Sequence, residues 1–300
     1  MMIPNSPRLS SLTFCLFVLF LCVGDSLADQ SLPLAAAETV GMSSKRLERI
    51  RPVVERYVDE GELSGGITLV SRQGKVVYFD SYGERDEEAG KPMERNSLVR
   101  IYSMTKPIAA VGLMMLHEEG AFQLNDPVEK FLPEFSDLKV LEEGEEVKPL
   151  RKMTIHHLLT HTAGLTYGFF GNTAIDQRYR QAGVLREKDL EEMVDDLGGI
   201  PLQHHPGEKW HYSVAVDVQG ALIERLSGIP LDRFLKERIF EPLGMSDTFF
   251  EVPASKLDRF AANYRYNSAE KNRKLSDSPD ESRFAKSVTF FSAGGGLVST

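Results

Sequence analysis

The order of helix-forming and strand-forming segments in residues 41–122 constrains the fold of this chain more than any other feature. The segment "SSKRLERIRPVVERYVDEGE" repeats apolar residues at the spacing of an amphipathic helix. The next segment, "GGITLVSRQGKVVYFDSYG", has two β-rich runs around a Gln73-Gly74 turn and predicts a hairpin. An apolar helix that ends at Gly120 follows. This order of helix, hairpin and helix predicts a fold of the α+β class.

The middle of the chain is predicted to be mostly helical. Four segments have helical character: "MTIHHLLTHTAGL", "LREKDLEEMVDDLGGI", "VAVDVQGALIERLSG" and "PLDRFLKERIF". The acidic "LEEGEEVKPL" and the polar residues 267–286 are predicted to be exposed loops. We therefore expect one domain over residues 29–300, with an antiparallel sheet flanked by helices. Within it, a mostly helical subdomain would occupy about 123–285, and the chain would return to the sheet region at 286–300.

Residues 1–28 have the layout of a secretory signal peptide. Arg8 precedes an apolar run of 12 residues, Leu12–Val23, and Ser26 and Ala28 offer the small residues that a cleavage site needs. The run is shorter than the ~20 residues of a membrane-spanning helix, and a retained N-terminal anchor is the alternative. The pattern predicts cleavage after Ala28 and a periplasmic or secreted protein without a stable membrane span.

The cysteines and the charge exclude several classes of function. Both cysteines, Cys15 and Cys22, lie in the predicted signal peptide, so the mature chain would have no disulfide, cysteine nucleophile or cysteine metal site. The predicted signal contains one basic and one acidic residue, so its removal leaves the net charge at −9. An acidic chain without a basic stripe argues against nucleic acid as a partner.

A serine followed three residues later by a lysine occurs at Ser103–Lys106, Ser136–Lys139 and Ser268–Lys271. The second and third pairs lie in polar segments. The first is followed by Pro107, which a helix tolerates only near its first turn, so the helix should begin at about Ser103. The serine hydroxyl and amide would then lie at the positive end of the helix dipole.

The helix that follows Pro107 is apolar on nearly all sides, which predicts that it is buried. Residues three apart share a helix face, so the Lys106 amine can reach the Ser103 hydroxyl. Partial burial lowers the pKa of a lysine and lets its neutral form act as a base. For this segment taken alone, a serine cap beside a surface lysine is an equally good interpretation.

At this point the chain resembles the serine β-lactamase and penicillin-binding-protein superfamily. The likeness is closest to its β-lactamase-related esterases, the family VIII carboxylesterases, which are similar to class C β-lactamases. Five segments in the family's order carry it, from about Gly41 to Thr300: "SMTK", "LNDPVEKFLPEF", "MTIHHLLTHTAGLTYGF", "PGEKWHYSVAVDVQGALIERLSGIPLDRFLKERIFEPLGMSDTFF" and "SAGGGLVST". The resemblance implies a β-lactamase/transpeptidase-like fold.

The resemblance also implies three catalytic residues. The family uses the serine of Ser-x-x-Lys as nucleophile, its lysine as base, and a tyrosine from a Tyr-x-Asn motif as their partner. These roles fall on Ser103, Lys106 and Tyr212. A phenol with an ordinary pKa of about 10 ionises more readily beside an ammonium group and can relay protons. Without the resemblance, Tyr212 would be read as a residue on the rim of a cleft. No metal or organic cofactor is implied.

Two departures from the family's pattern bear on function. Val214 stands where the family has the asparagine that helps to hold a lactam side chain, which weakens an antibiotic-hydrolysing interpretation and agrees with the esterases. The family's third motif, Lys-Thr-Gly or His-x-Gly, comes well after "GGGL" and beyond Thr300. We therefore expect an incomplete domain without further sheet strands, a terminal helix and one oxyanion-hole amide, a donor whose loss typically lowers the rate by ~10²–10³-fold.

Four histidines are candidate metal ligands by residue type. His157 and His161 have a spacing that can bind zinc on one helix face, but Leu158 stands where the zinc motif has glutamate. The stretch "HHLLTHTAGL" also matches a structural segment of the family. His204 and His205 precede a Pro-Gly turn and are predicted to be loop residues.

The leading prediction is an exported serine hydrolase that cleaves esters or amides through an acyl-enzyme on Ser103, with Lys106 and Tyr212 as general base and acid. Water, or another acceptor in a transferase variant, would release the acyl group. Within this class, a β-lactamase or D-Ala-D-Ala carboxypeptidase is the alternative. From another class, the alternative is a non-catalytic, penicillin-binding-like or truncated binding protein. The predicted partner is a small ester, amide or lactam.

Overall fold

The computed structural model describes residues 32–186 and 188–300, so the predicted signal peptide lies outside the described residues. The α-helices of this part are α1 Ser44–Leu47, α2 Ile50–Asp59, α3 Thr105–Glu118, α4 Ile155–Leu159, α5 Ala174–Ala182, α6 Leu190–Gly198, α7 Ala215–Ser227 and α8 Leu231–Leu235. The strands are β1 Gly65–Arg72, β2 Lys75–Asp86, β3 Lys91–Pro92, β4 Val99–Arg100, β5 Val140–Glu142, β6 Glu145–Val147, β7 Asn263–Asn267, β8 Asn272–Asp277 and β9 Val298–Ser299. The α+β prediction is confirmed. Within the described ranges, no helix combines the length and apolar character needed to cross a membrane.

The predicted hairpin is confirmed. Strands β1 and β2 pair antiparallel from Gly65 opposite Gly83 to Arg72 opposite Lys75, and β3 pairs with the other side of β2. The turn residues Gln73 and Gly74 have φ angles of 51° and 67°. A two-residue turn of this kind needs positive φ at both positions because its twist must match that of the strands.

Helix α7 is the centre of the helical core. Its residues from Ala215 to Ile223 are all buried, and α3, α4, α6 and α8 pack around it. Leu113 of α3 and Phe234 of α8 lie in the same cluster, at 0% and 1% exposure. A helix surrounded in this way has little freedom to shift, so the residues just before α7 are held firmly in place.

The α3 helix differs from its prediction in two ways. It begins at Thr105, after a 3₁₀ turn at Tyr102–Met104, rather than at Ser103. Pro107 is still in its first turn, where no backbone N–H is needed, so the proline tolerates the later start. The helix also buries only one side, because Val111 remains 53% exposed while Ala109 is fully buried.

Two segments predicted as exposed loops contain hairpins instead. The acidic segment forms β5 and β6 around a Glu143-Gly144 turn. Its first strand is anchored at the buried Val140, which bridges to Leu202, so tertiary packing overrides the low strand preference of glutamate. Residues 267–286 contribute β8, which pairs with β7, and a 3₁₀ turn that buries Phe284.

The ion pair between Arg100 and Asp277 fixes this second hairpin. The two side chains lie 2.7 Å apart, and the Arg100 side chain is only 3% exposed. Its guanidinium also packs 4.1 Å from the ring centroid of Phe260.

Helix α5 was not predicted, because its polar sequence "AIDQRYRQA" has few apolar residues. The side chain of Thr173 caps this helix by accepting a hydrogen bond from the amide of Asp176.

The last described strand returns to the start of α3. Strand β9 pairs antiparallel with β4, with Val99 opposite Ser299. Just before β9, the backbone amide of Leu297 donates to the Thr105 hydroxyl at 3.1 Å. These contacts bring the glycine-rich residues 293–296 next to Ser103.

Candidate active site

Ser103, Lys106 and Tyr212 come together at the N-terminal end of α3. Ser103 is exposed in the 3₁₀ turn, and its Oγ lies 3.3 Å from Nζ of Lys106. The hydroxyl of Tyr212 lies 2.8 Å from the same Oγ. Tyr212 stands three residues before α7, so the buried helix sets its position. The structure thus brings together all three residues that the sequence predicted for the site.

The other two Ser-Lys pairs have different surroundings. Lys139 forms a surface ion pair with Asp137 at 2.6 Å. Lys271 lies in the β7–β8 turn, with a φ angle of 50°. The spacing alone therefore does not produce the arrangement found at Ser103.

The Lys106 amine lies between two tyrosine rings. Its Nζ is 4.7 Å from the ring centroid of Tyr212 and 5.3 Å from that of Tyr167. It also donates a hydrogen bond of 2.6 Å to the carbonyl oxygen of Gly294. These contacts hold a half-buried amine in one position beside the Ser103 hydroxyl.

The two tyrosines beside Lys106 have opposite pKa shifts. Burial by itself would raise the pKa of Tyr212, but the adjacent Lys106 ammonium and Ser103 hydroxyl outweigh it, so the pKa lies below its ordinary value. Burial, together with the nearby charge of Asp217, raises the pKa of Tyr167. Tyr212 is therefore the phenol suited to exchange protons, whereas Tyr167 stays protonated.

His161 contacts the site as a packing residue. Its ring centroid lies 4.9 Å from that of Tyr212, and its Nδ1 lies 3.4 Å from the hydroxyl oxygen of Ser213. Burial, with a contribution from the Lys106 charge, lowers the pKa of His161 to about 4. The ring is therefore neutral near neutral pH and supports the face of Tyr212.

The other histidines have structural contacts. Nδ1 of His157 accepts a hydrogen bond of 3.1 Å from the amide of Thr154 at the start of α4. The rings of His204 and His211 pack at 5.6 Å, and the buried His205 accepts from the amide of Leu150 at 3.3 Å. Throughout residues 32–186 and 188–300, no cluster of three His, Cys, Asp or Glu side chains is arranged to hold a metal ion.

Strained backbone marks the site as well. Five non-glycine residues in the described ranges have positive φ, and three of them lie in the hairpin turns after β1, β5 and β7. The other two are Tyr102, with a φ of 44°, and His161, with a φ of 55°. Such residues cost on the order of 1–3 kcal/mol each and tend to cluster at functional sites. One directly precedes Ser103 and the other supports Tyr212.

Aromatic side chains line the cleft beside Ser103, which encloses about 200 Å³. Phe169 and Phe170 are 58% and 66% exposed, and Tyr167 and Phe290 lie deeper in the lining. Trp210, 63% exposed, stacks against Tyr212. These residues were not predicted from the sequence, although the short aromatic runs "TYGFF" and "KWHY", which overlap two of the family segments, were an available signal.

Val214 does not present a polar group to the cleft. It is fully buried at the start of α7, and its amide donates to the carbonyl of Thr166 at 3.3 Å. The position that carries an amide side chain in the family's second motif is therefore part of the apolar core here.

The fold and the convergence of a serine, a lysine and a tyrosine define a protein of the β-lactamase/transpeptidase-like class. The sequence profile of the Beta-lactamase family matches residues 50–300, and the chain belongs to that family. The resemblance inferred from the five sequence segments is confirmed.

Three similar proteins illustrate the relationship. Protein Rv1367c of Mycobacterium tuberculosis is 36% identical over 252 residues, covering 82% of this chain and 62% of Rv1367c. Esterase EstB of Burkholderia gladioli is 39% identical over 219 residues, covering 72% of this chain and 54% of EstB. The solved structure of EstCE1, "a hydrolase with promiscuous acyltransferase activity", has a TM-score of 0.74 and 29% identity, covering 84% of this chain and 68% of EstCE1. The chain thus spans less than two thirds of the length of these two curated relatives.

Proposed function

We propose that this protein is an exported serine hydrolase that cleaves carboxylic esters through an acyl-enzyme on Ser103. The observation that carries the proposal is the convergence of Lys106 and Tyr212 on the Ser103 hydroxyl, at 3.3 and 2.8 Å. A nucleophile within hydrogen-bond reach of a base that is itself held by a third group is the general arrangement of nucleophilic catalysis.

The reaction would proceed in two balanced halves. In the first, Oγ of Ser103 bonds to the ester carbonyl carbon while its proton passes to the Lys106–Tyr212 pair. The bond from carbon to the leaving oxygen then breaks, and the pair returns the proton to the departing alcohol. In the second half, water gives a proton to the same pair, attacks the acyl-enzyme and releases the acid, and Ser103 recovers its proton.

Esters are proposed rather than lactams for two reasons. Val214 offers no side-chain amide to hold a lactam substituent, and half of the residues that line the cleft beside Ser103 are aromatic. The names of two related proteins, EstB as an esterase and EstCE1 as a hydrolase, agree with this choice. Cleavage of a β-lactam or of a D-Ala-D-Ala peptide is the alternative.

Export is proposed from the pattern of residues 1–28, in which a short apolar run precedes small residues. Expression in a bacterium and fractionation of the cells test it. We expect mature protein in the periplasm or medium, with Asp29 as the N-terminal residue. Unprocessed protein in the cytoplasm would contradict the proposal.

The activity is tested with p-nitrophenyl acetate and butyrate, a chromogenic cephalosporin, and the variants Ser103→Ala and Ser136→Ala. Ser136 is the matched control because it is an exposed serine that also precedes a lysine by three positions. We expect the wild type and Ser136→Ala to cleave the esters, and Ser103→Ala to lose the activity. Faster cleavage of the cephalosporin would favour the alternative, and turnover by Ser103→Ala would refute the mechanism.

Covalent labelling separates an enzyme from a binding protein. After exposure to a fluorophosphonate, we expect the intact mass of the wild type to increase by one adduct on Ser103, with none on Ser103→Ala. If the folded wild type gives neither an adduct nor turnover of either substrate class, the non-catalytic binding protein becomes the better interpretation.

A further inference from the structure

A carboxyl group without a role in the proposed chemistry is buried behind the site. Asp217 of α7 is 0% exposed and lies five residues after Tyr212. Burial raises its pKa, although hydrogen bonds to its carboxyl oppose the shift. An acidic side chain is rarely buried in a core unless its hydrogen bonds serve a purpose, because removing it from water is costly.

The contacts of Asp217 are directed at the glycine-rich segment beside Ser103. Its Oδ1 accepts one hydrogen bond of 2.6 Å from the hydroxyl of Ser292 and another of 2.9 Å from the amide of Gly294. A side chain at position 294 would place its Cβ 2.5 Å from Oδ2 of Asp217, so any residue other than glycine would have to displace this carboxyl. The Asp217 carboxyl and the glycine-rich segment are thus in direct contact and leave no space between them for a side chain at position 294.

Gly294 connects this carboxyl to the proposed base. Its N–H donates to Asp217, and its carbonyl oxygen, 2.6 Å from Nζ, accepts from Lys106. One residue therefore joins the two side chains, and the orientation of its backbone decides where the Lys106 amine finds its acceptor. If that carbonyl turned away, the Lys106 amine would lose its shortest hydrogen bond and keep the longer contact with the Ser103 hydroxyl and the contacts with the rings of Tyr167 and Tyr212.

We propose that Asp217 is a positioning residue: it fixes the Gly294 backbone so that the carbonyl holds the Lys106 amine beside Ser103. This inference rests on the proposed hydrolase function. Asp217 touches no reacting atom, so its removal is expected to slow the chemical step and to leave the binding of substrate nearly unchanged.

The experiment compares Asp217→Ala, Asp217→Asn and Ser292→Ala with a matched control, Glu224→Gln. Glu224 is a second, partly buried carboxylate on α7 that accepts from a backbone amide, that of Leu231 at 2.8 Å. No hydrogen bond joins Glu224 to residues 292–296 in the described part of the chain. For each variant, kcat and KM are measured with p-nitrophenyl acetate, and the rate of fluorophosphonate labelling is measured by intact mass. Circular dichroism and thermal unfolding report the folded fraction.

We expect Asp217→Ala to lower kcat and the labelling rate between about 10- and 100-fold with KM within about twofold, since small misplacements of a catalytic group have effects of this size. The Asn variant should recover part of the loss, because its side-chain oxygen can still accept from the Gly294 amide. Ser292→Ala removes one of the two donors and should give a smaller decrease. Glu224→Gln should behave as the wild type.

The inference is overturned if Asp217→Ala keeps the kcat and labelling rate of Glu224→Gln, or if its effect is confined to KM. If Asp217→Ala does not fold, the test relies on Asp217→Asn and Ser292→Ala. Wild-type values of kcat and of the labelling rate in both variants then overturn the inference. Failure of the wild type to label or turn over would instead overturn the proposed function, and this inference with it.

Discussion

The hydroxyl of Tyr212 lies 2.8 Å from Oγ of Ser103, although 109 positions of sequence separate the two residues. The contact depends on two rigid elements. The 3₁₀ turn before α3 presents the serine, and the buried helix α7 holds the tyrosine just before its first residue. Both partners are therefore fixed before any ligand binds, which reduces the ordering that a reaction would require.

The Tyr212 phenol should govern the pH dependence of activity. A base must lose its proton to act, so kcat/KM should rise with pH and level off below the ordinary tyrosine pKa of about 10, because the pKa of Tyr212 is lowered. Tyr212→Phe should decrease kcat by ~10²–10⁴-fold and change the basic side of the profile. The measurement is a pH–rate profile with p-nitrophenyl acetate.

Tyr167→Phe is the matched control for this prediction. The pKa of Tyr167 is raised by burial and by Asp217, so its phenol stays protonated across the profile and the shape of the basic side should not change. A Tyr212→Phe variant that kept both the rate and the profile of the wild type would contradict the role given to Tyr212.

His161 should make the protein less stable in acid. The unfolded chain binds a proton on this ring below about pH 6.5, whereas the folded protein does so only near its lowered pKa of about 4. The unfolded state therefore binds more protons in this window, and the free energy of unfolding falls as the pH decreases through it. Because the ring is partly exposed, the loss is on the order of 1 kcal/mol.

His161→Asn should remove this part of the acid sensitivity, because asparagine does not titrate and tolerates the positive φ of the position. Urea unfolding at about pH 7 and about pH 4.5 measures it. The exposed His156 of α4, five residues before His161, provides the control variant His156→Gln, which should keep the sensitivity of the wild type. Equal acid sensitivity in His161→Asn and the wild type would rule the explanation out.

The backbone strain at Tyr102 predicts an unusual order of stability for the glycine and alanine variants at this position. Both Tyr102→Gly and Tyr102→Ala lose the ring and the hydrogen bond of 2.8 Å from the Asn263 side chain to the tyrosine hydroxyl. They differ in how well they accept a φ of 44°. The glycine variant should therefore be the more stable by about 1–2 kcal/mol, measured by urea unfolding.

Met104, two residues after Tyr102, is the control, and the order of stability of its glycine and alanine variants should be the opposite. It is 67% exposed and has an ordinary helical φ of −69°. Here alanine should be more stable than glycine by about 0.5–1 kcal/mol. If alanine were the more stable residue at both positions, the strain assigned to Tyr102 would be absent in solution.

The exposed phenylalanines should influence which acyl groups the protein accepts. Phe170 lines the cleft and lies 6.0 Å from the Tyr212 ring, so its side chain is available to an aromatic or long acyl chain. Phe170→Ala should lower kcat/KM for p-nitrophenyl butyrate relative to the acetate by several-fold, about 1 kcal/mol. Leu243→Ala, an exposed apolar residue outside the cleft lining, should leave the ratio unchanged. An unchanged ratio in Phe170→Ala would mean that the acyl chain lies elsewhere.

The parts of the fold that sequence predicted well are those set by neighbouring residues. The Gln73-Gly74 turn and the apolar repeat of α7 both follow from local backbone and burial preferences, and both are present. The β5–β6 hairpin was missed because its glutamates prefer other structures, and only the packing of Val140 onto Leu202 explains it. Local sequence patterns therefore do not predict an element whose formation depends on tertiary contacts.

The site follows the same rule. The spacing of Ser103 and Lys106 was visible in the sequence, and the resemblance to a family pointed to Tyr212. The acceptor for the Lys106 amine, the carbonyl of Gly294, could not be predicted, because any residue has a carbonyl and the contact depends on how distant segments pack. Asp217 was missed because the sequence of a helix does not indicate which distant residues one of its acidic side chains contacts.

The bond between Lys106 and Gly294 joins positions 188 residues apart, which has a consequence for biosynthesis. As the ribosome extends the chain, the hairpin and α3 can form from neighbouring residues, whereas contacts of such separation must first overcome the entropy of closing a long loop. The 188 positions after Lys106 must therefore be made before the lysine has its acceptor. The nascent chain carries its serine through the synthesis of this whole stretch without the geometry proposed to activate it.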